Sequence, residues 1–346
     1  MEDTIEHQSA NPNTSINNKC VLVIGGAGYI GSHICKVLSK NGHTPIVIDH
    51  NIEEKPWATS FGLAFNLNLP QEMNRLDEIV KRYNVDSCMH LAAYTAVGES
   101  VKNPTKYYKN NVVMTLQLLD YLHSAGIKKF IFSSSAAVYG IPKDGICKDS
   151  DEFLKPINPY GASKLMIEQV LRDYNTAYDF NSISLRYFNA AGADPEAEVG
   201  ELRTEETHII PLAIKAAMSG KGFKLNGDDY NTKDGTCVRD YIHVMDIADA
   251  HLKALNLVGN EIKCASYNLG SGIPTSNKQM LDSVQKYAGN MEITINPRRE
   301  GDPDMLVADI SRTKADLNWN PDNSSIDNIV STAVKWNNTI NKKKIN

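Results

Sequence analysis

Residues 21–33, VLVIGGAGYIGSH, join an apolar run to a glycine-rich turn and the start of an amphipathic segment. Gly25, Gly28 and Gly31 recur every three residues. After a strand and before a helix, each has its own task. Gly25 allows the tight turn, Gly28 lets backbone N–H groups approach a pyrophosphate, and Gly31 permits close helix–strand packing. A glycine triplet alone also serves plain turns. Here CVLVIGG (20–26) reads as a strand, Ile30 to Lys40 as a helix, and a second strand, TPIVID (44–49), ends on Asp49. An acidic residue roughly 20 positions past the loop suits a ribose diol and repels a 2′-phosphate, which favours NAD over NADP.

The same alternation continues outward. VDSCMHLAA (85–93), KKFIFSS (128–134) and SISLRYFN (182–189) are short apolar runs separated by long helical stretches. Strands apolar on both faces and separated by helices predict a Rossmann-like, doubly wound parallel sheet of the α/β class. Asn103-Pro104 and Asn158-Pro159 each set an N-cap asparagine before a proline at the first helical position. The first helix carries Tyr108, Val112, Leu116, Leu119 and Leu122 at helical spacing, with Val113 and Leu118 on a second flank for another neighbour. After about Ala190 the pattern turns irregular, with loops such as GADPEAEVGELRTEET (192–207) and NGDDYNTKDGT (226–236). The expected organisation is a disordered extension over 1–18, a nucleotide-binding domain over 19–190 and a smaller C-terminal α/β substrate domain over 191–340. Segments near 236–262 are expected to return to the first domain, and the active site to lie in the cleft between the two.

Composition narrows the function classes. The 346 residues are 42% hydrophobic and 22% charged, with a net charge of −5. That balance supplies no field for nucleic acid or an anionic membrane. No apolar run approaches the ~18 residues of a membrane span, and MEDTIEHQSANPNTSINN lacks the apolar core of a secretory signal. Six cysteines without a CxxC pair fit reduced thiols in the cytoplasm and predict no metal site.

NPYGASK (158–164) sets Tyr160 and Lys164 four residues apart, on one helix face. A free phenol, with pKa about 10, is a poor base at neutral pH. The Lys164 ammonium, the helix N-terminus and a nicotinamide cation would together bring it into range for taking a proton from a sugar hydroxyl. Ser135, at the preceding strand end in SSSAAVYG (133–140), is placed to share that proton. Ser133 and Ser134 are expected to line the cofactor and sugar.

GGAGYIGSH, SSSAAVYG, NPYGASK, LRYFNAAG, DGTCVRDYIHV and PRREGD, in this order, resemble the UDP-galactose 4-epimerases of the extended short-chain dehydrogenase/reductase family. The likeness covers nearly all of residues 19–340. It implies that Tyr160 takes the proton of the sugar 4-hydroxyl while hydride moves to NAD, and that the 4-keto sugar turns over and recovers hydride on its other face. Lys164 would then tune Tyr160 and bind a ribose, with Ser135 as hydrogen-bonding partner. The resemblance implies cofactor contacts at Gly25, Gly28, Tyr29, Ile30, Gly31, Asp49, Asn66, Leu67, Leu91, Ala92, Ala93, Asn111, Ser133 and Phe188, besides Tyr160 and Lys164. It implies substrate contacts at Ser135, Tyr160, Asn189, His208, Arg239, Tyr241, Arg299, Asp302 and Leu306, the last limiting the substituent at sugar C2. A UDP-hexose substrate and a homodimer formed through segments 104–125 and 158–178 follow from the same resemblance.

Two departures stand out. The chain between Asp49 and FNLNL (65–69) is short, so the helix usual there is expected to be reduced or lost. Asn66 stands where the family has an aspartate facing adenine, and Thr95 where a lysine near the pyrophosphate is frequent. Both predict weaker NAD binding than is typical. Among rivals, related dehydratases carry aspartate and glutamate where Ala136 and Ala137 stand, and a methyl group transfers no proton. A UDP-xylose/UDP-arabinose epimerase shares the chemistry and stays open, as do UDP-N-acetylhexosamine substrates. A non-catalytic NAD sensor would have no reason to keep Tyr160, Lys164 and Ser135 together.

Overall fold

Buried β-branched runs decide the first layer. In the computed structural model, which describes residues 19–50, 52–55, 59–150, 154–203, 206–298 and 301–345, they assemble into a seven-stranded sheet. The extension over 1–18 lies outside the described residues. The strands β1 (Cys20–Ile24), β2 (Thr44–Asp49), β3 (Leu63–Asn66), β4 (Val85–His90) and β5 (Lys129–Ser135) run in the spatial order β5-β4-β1-β2-β3. Strands Asn181–Tyr187 and then Cys264–Leu269 extend the sheet beyond β5. β1 pairs in parallel with both β2 and β4. The strand order therefore reverses at β1, the topological switch point where doubly wound sheets bind ligands at their carboxyl edge.

The chain divides into two compact units. The first comprises residues up to Gly140, Leu154–Arg186 and Ala248–Tyr267. Its core packs Leu22, Ile46, Leu76, Leu119, Phe130, Ile167 and Phe180. Each such side chain contributes about 1.5–3 kcal/mol on full burial. The second comprises Ile141–Phe153, Tyr187–Ile247 and Asn268 onward. Its main sheet has Val238–His243 at the centre, flanked by Pro274–Ser276, Met305–Ala308 and Asn189–Ala191. Helices Ile209–Ser219, Asn277–Ala288 and Ile326–Ile345 supply Ile214, Met280 and Ile329 to a separate core.

Both expected helix starts are present. Asn103 Oδ1 accepts from the Lys106 N–H at 3.3 Å, and Asn158 Oδ1 from the Gly161 N–H at 2.9 Å. The second opens a 20-residue helix, Pro159–Tyr178. The first differs from a plain α-helix. Between Pro104–Tyr107 and Met114–Ser124 the backbone is π-helical, over Tyr108–Val113. Such wide turns recur at functional sites. Among the described residues no α-helix lies between Asp49 and Leu63; a 3₁₀ turn at Ile52–Glu54 stands there instead, as the short spacing predicts. No described helix is long and apolar enough to cross a membrane.

Candidate active site

The glycine loop is packed where its sequence requires it. Gly25 has φ +84°, and a Cβ there would lie 2.6 Å from the Ala92 nitrogen. A Cβ on Gly31 would lie 2.4 Å from the Gly25 carbonyl oxygen. Helix α1 (Tyr29–Lys40) starts at Gly28 with no side-chain cap and no acidic residue in its first turn. Its positive end, at Gly28, Tyr29 and Ile30, thus suits a phosphate group. Asp49, at the end of β2, accepts the Ala27 N–H on Oδ2 at 3.0 Å, which fixes the carboxylate beside the loop. Burial raises its pKa, against the pull of His50 and of that N–H. Asn66 stands opposite Asp49 in the strand register and is exposed, while the Leu67 N–H reaches the Asp49 carbonyl at 2.9 Å. The Leu91 and Ala92 N–H groups both donate to the Ile24 carbonyl, bringing the end of β4, with Ala93 next, to the loop. An uncapped helix start, a glycine cradle and a fixed carboxylate one strand away fit a dinucleotide.

The three serines of 133–135 meet three residues of the Tyr160 helix, each one turn apart. Lys164 Nζ donates to the Ser133 carbonyl at 2.7 Å. Ser134 Oγ donates to Glu168 Oε1 at 2.5 Å. Ser135 hydrogen-bonds the Tyr160 phenol, and its Oγ also accepts the Ala137 N–H at 3.2 Å. Strand geometry explains the division, since successive side chains point to opposite faces. Ser134 therefore faces away from the Ser133 and Ser135 side chains. The expectation that it lines the cofactor and sugar is corrected: it is 1% exposed and committed to Glu168. Gly161 makes the approach possible, because a Cβ there would lie 2.3 Å from the Ala137 carbonyl oxygen.

Burial governs the charges of this cluster. Lys164, 2% exposed, has its pKa lowered to about 7 by desolvation, with Glu168 pulling the other way. Its ammonium lies 4.9 Å from the Phe132 ring centroid and 6.0 Å from that of Tyr160. Burial raises the Tyr160 phenol above its ordinary range and the Ser135 hydrogen bond lowers it, burial prevailing. His90, at the end of β4, is pushed down to about 3 by burial and by Lys164, so it is neutral. Thr115 Oγ1 donates to the Asn111 carbonyl at 2.8 Å, so it accepts from His90 Nε2 at 2.9 Å. His90 Nδ1 is buried with no partner.

Asn111, in the π-helical turn, uses its whole amide within the protein. Oδ1 accepts from the Tyr94 N–H and from Asn110 Nδ2, while Nδ2 donates to the Tyr94 carbonyl and to Ser163 Oγ. Ser163 Oγ in turn donates to the Tyr160 carbonyl at 2.7 Å. The side chain thus braces the loop after β4 against the Tyr160 helix.

The second unit holds Arg239 and Tyr241 on one strand and sets Asn189, Asp302 and Leu306 beside it. Within Val238–His243, Arg239 and Tyr241 flank buried Asp240, and Tyr241 is itself buried. Tyr241 pairs in register with Asn189 and Arg239 with Leu306. Asn189 Nδ2 donates to the Asp240 carbonyl at 2.7 Å, and the Tyr241 hydroxyl to Asn277 Oδ1 at 3.1 Å. Arg239 donates through Nη1 to the Val238 and Pro303 carbonyls and through Nη2 to Asp302 at 3.1 Å. A guanidinium has five N–H donors, so Nε–H and one Nη2–H of Arg239 are left for an anion. His208 is apart from this set and pairs with Glu201 at 2.9 Å. Phe188 is buried, its N–H on the Leu269 carbonyl. Arg299 lies outside the described residues.

Sequence reasoning missed Glu168 and Arg186. Glu168 Oε1 accepts from Arg186 Nε at 3.0 Å and Oε2 from Nη2 at 2.6 Å, while Arg186 Nη1 donates to the Tyr139 hydroxyl at 2.8 Å. Glu168 stands four residues past Lys164, a spacing shared with countless surface helices. Its one signal was an acid amid the apolar positions of a buried helix face.

The comparisons agree with this geometry. Residues 21–270 match the family model described as NAD dependent epimerase/dehydratase family. A UDP-glucose 4-epimerase of Rhizobium meliloti (strain 1021) is 44% identical over 308 residues, covering 88% of this chain and 93% of its own. The crystal structure of UDP-glucose 4-epimerase from Brucella ovis in complex with NAD aligns with TM-score 0.85 at 39% identity, over 92% of this chain and 98% of that one. A UDP-glucose 4-epimerase from Stenotrophomonas maltophila, with bound NAD and formylated UDP-arabinopyranose, aligns with TM-score 0.88 at 31% identity, over 94% and 100%. A matched segment spanning most of the chain, with relatives this similar over nearly their full length, makes the chain a member of the NAD-dependent epimerase/dehydratase family.

Proposed function

We propose that this chain interconverts UDP-glucose and UDP-galactose by reversible oxidation at C4. The observation that carries the reading is the meeting of Tyr160, Lys164 and Ser135 at the end of β5, with methyl groups at Ala136 and Ala137. Tyr160 takes the 4-hydroxyl proton, and Ser135 orients that hydroxyl through its own hydrogen bond. Lys164 stabilises the phenolate by its charge. NAD, when bound, supplies the hydride acceptor, which becomes the donor on return. Tyr160 then gives the proton back to the 4-oxygen, so a sugar turned over between the two transfers leaves with C4 inverted and no net oxidation. Loss of water would require an acid to protonate O6, and Ala136 and Ala137 carry none.

Asn189, Arg239, Tyr241, Asp302 and Arg299 are assigned to the UDP moiety. The two open N–H groups of Arg239 suit a diphosphate, and an Asp302 oxygen a ribose hydroxyl. Leu306 is assigned to sugar C2 and His208 to the substrate side. A second reading, a pentose 4-epimerase, draws on the relative that holds a UDP-arabinopyranose derivative. We also infer a homodimer through helices 104–125 and 158–178, where Val113 and Met166 are exposed. A cytoplasmic setting accords with six cysteines that form no disulfide among the described residues. The test assays purified protein with UDP-glucose, UDP-N-acetylglucosamine and UDP-xylose, each with and without NAD. Turnover of UDP-glucose is expected; turnover of UDP-xylose alone moves the assignment to pentoses, and no turnover of any sugar rejects it.

A further inference from the structure

We infer that Glu168 is a positioning residue of the catalytic site: from one turn beyond Lys164 it clamps the end of β5 through Ser134 and supplies the buried negative charge that offsets the Lys164 ammonium. The inference rests on the catalytic reading of Tyr160 and Lys164 given above.

Three features carry it. First, Lys164 and Glu168 hold consecutive residues of β5, the Ser133 carbonyl and the Ser134 hydroxyl. Those two contacts fix the strand end immediately before Ser135. Second, the carboxylate is itself immobilised. Its oxygens receive the Arg186 fork, Ser134 and, at 3.3 Å, Ser266 Oγ, and it is 1% exposed. A fixed charge in a dry environment acts more strongly than a mobile one in water. Third, the groups around Lys164 leave few other sources of negative charge. His90 from β4 is neutral, β5 offers a carbonyl and the Phe132 ring, and Tyr160 is a phenol. Arg186, on the strand beyond β5, stands behind Glu168, and Tyr107, which faces Tyr160, is bonded to Glu99. Among the described residues, Glu168 is the carboxylate whose charge acts on Lys164.

The sign follows directly. Without the carboxylate the ammonium is harder to keep in a buried site, so Lys164 loses its proton at lower pH. Activity that needs the Lys164 charge then declines earlier on the alkaline side. A purely structural Glu168 would lower turnover alike at every pH.

The experiment measures kcat and KM for UDP-glucose from pH 6 to 10 at saturating NAD. It compares wild type, Tyr160→Phe, Glu168→Gln, Glu168→Asp and the double variant Glu168→Gln/Arg186→Met. The double variant removes both buried charges together, so it leaves no unpaired ion if the single variant does not fold. The alkaline limb of kcat is expected to move down by about one pH unit in Glu168→Gln. It should move by less, in the same direction, in the double variant, which also loses the Arg186 charge behind the carboxylate, with KM changed less than about threefold in both. Glu168→Asp should restore part of the shift. A folded variant without the carboxylate whose limb stays in place overturns the inference. If Tyr160→Phe retains full activity, the catalytic reading itself fails, and the two failures are separable.

Discussion

Lys164 and Arg186 are both cations no more than 2% exposed, held in the same unit, yet their surroundings are opposite. Arg186 spends its fork on Glu168 and Tyr139. Burial pulls its pKa down, but these partners outweigh it, and it is held above its ordinary value. Lys164 donates to one carbonyl and lies over a ring, and burial lowers it to about 7. A saturated ion pair is locked in one charge state and presents a fixed field to its neighbours. A partner-poor cation stays near the threshold of losing its proton, at some cost in stability, and can respond to chemistry beside it.

This contrast can be broken most sharply at Tyr160. Tyr160→Phe should lower turnover about 10³-fold or more while NAD binding persists, as measured by steady-state rates and cofactor titration. Next comes Arg186→Met, which strands the Glu168 carboxylate in the core. Denaturant unfolding should show a loss of about 3–5 kcal/mol; a loss below about 1 kcal/mol would mean that the pair is not saturated as described.

Lys164→Met should do the reverse for stability. Turnover falls about 10²-fold, while the thermal midpoint of the cofactor-free protein rises by a few degrees. The folded pKa of Lys164 lies below its unfolded value, so between about pH 7 and 10 the unfolded chain binds more protons. Stability of the wild type therefore climbs across that range. The gap to Lys164→Met should be widest below pH 7 and close toward pH 10. A gap that ignores pH would show that the lysine is not the titrating group.

The smallest expected effect lies in the second unit. Arg239→Lys keeps a charge but loses the planar fork, and should raise KM for the UDP-sugar about tenfold with kcat nearly unchanged. Equal loss in both parameters would move Arg239 from binding to chemistry.

Much of the site was legible because its signals are local. Gly25, Gly28 and Gly31 report a turn and a close approach through their spacing, and Tyr160 and Lys164 share a helix face through theirs. Asn103 and Asn158 mark helix starts because an asparagine before a proline satisfies end N–H groups in any context. The division of labour among Ser133, Ser134 and Ser135 was not legible. Which of the three meets which residue of the Tyr160 helix depends on how that helix docks, and the close approach of Gly161 to Ala137 is part of that docking. The π-helical turn at Tyr108–Val113 was equally hidden, since none of its residues marks a wide turn within a helical pattern.

The sequence by itself determined the alternation of strands and helices over the first half of the chain, the glycine loop and the tyrosine–lysine pair, because each rests on residues a few positions apart. Only the tertiary structure decided which charges pair. Glu168 finds Arg186 18 residues later and Ser134 34 residues earlier, and Arg239 finds Asp302 63 residues away. Partners that distant are chosen by strand order and helix docking, where burial forces every charge to find a counter-charge or yield its proton.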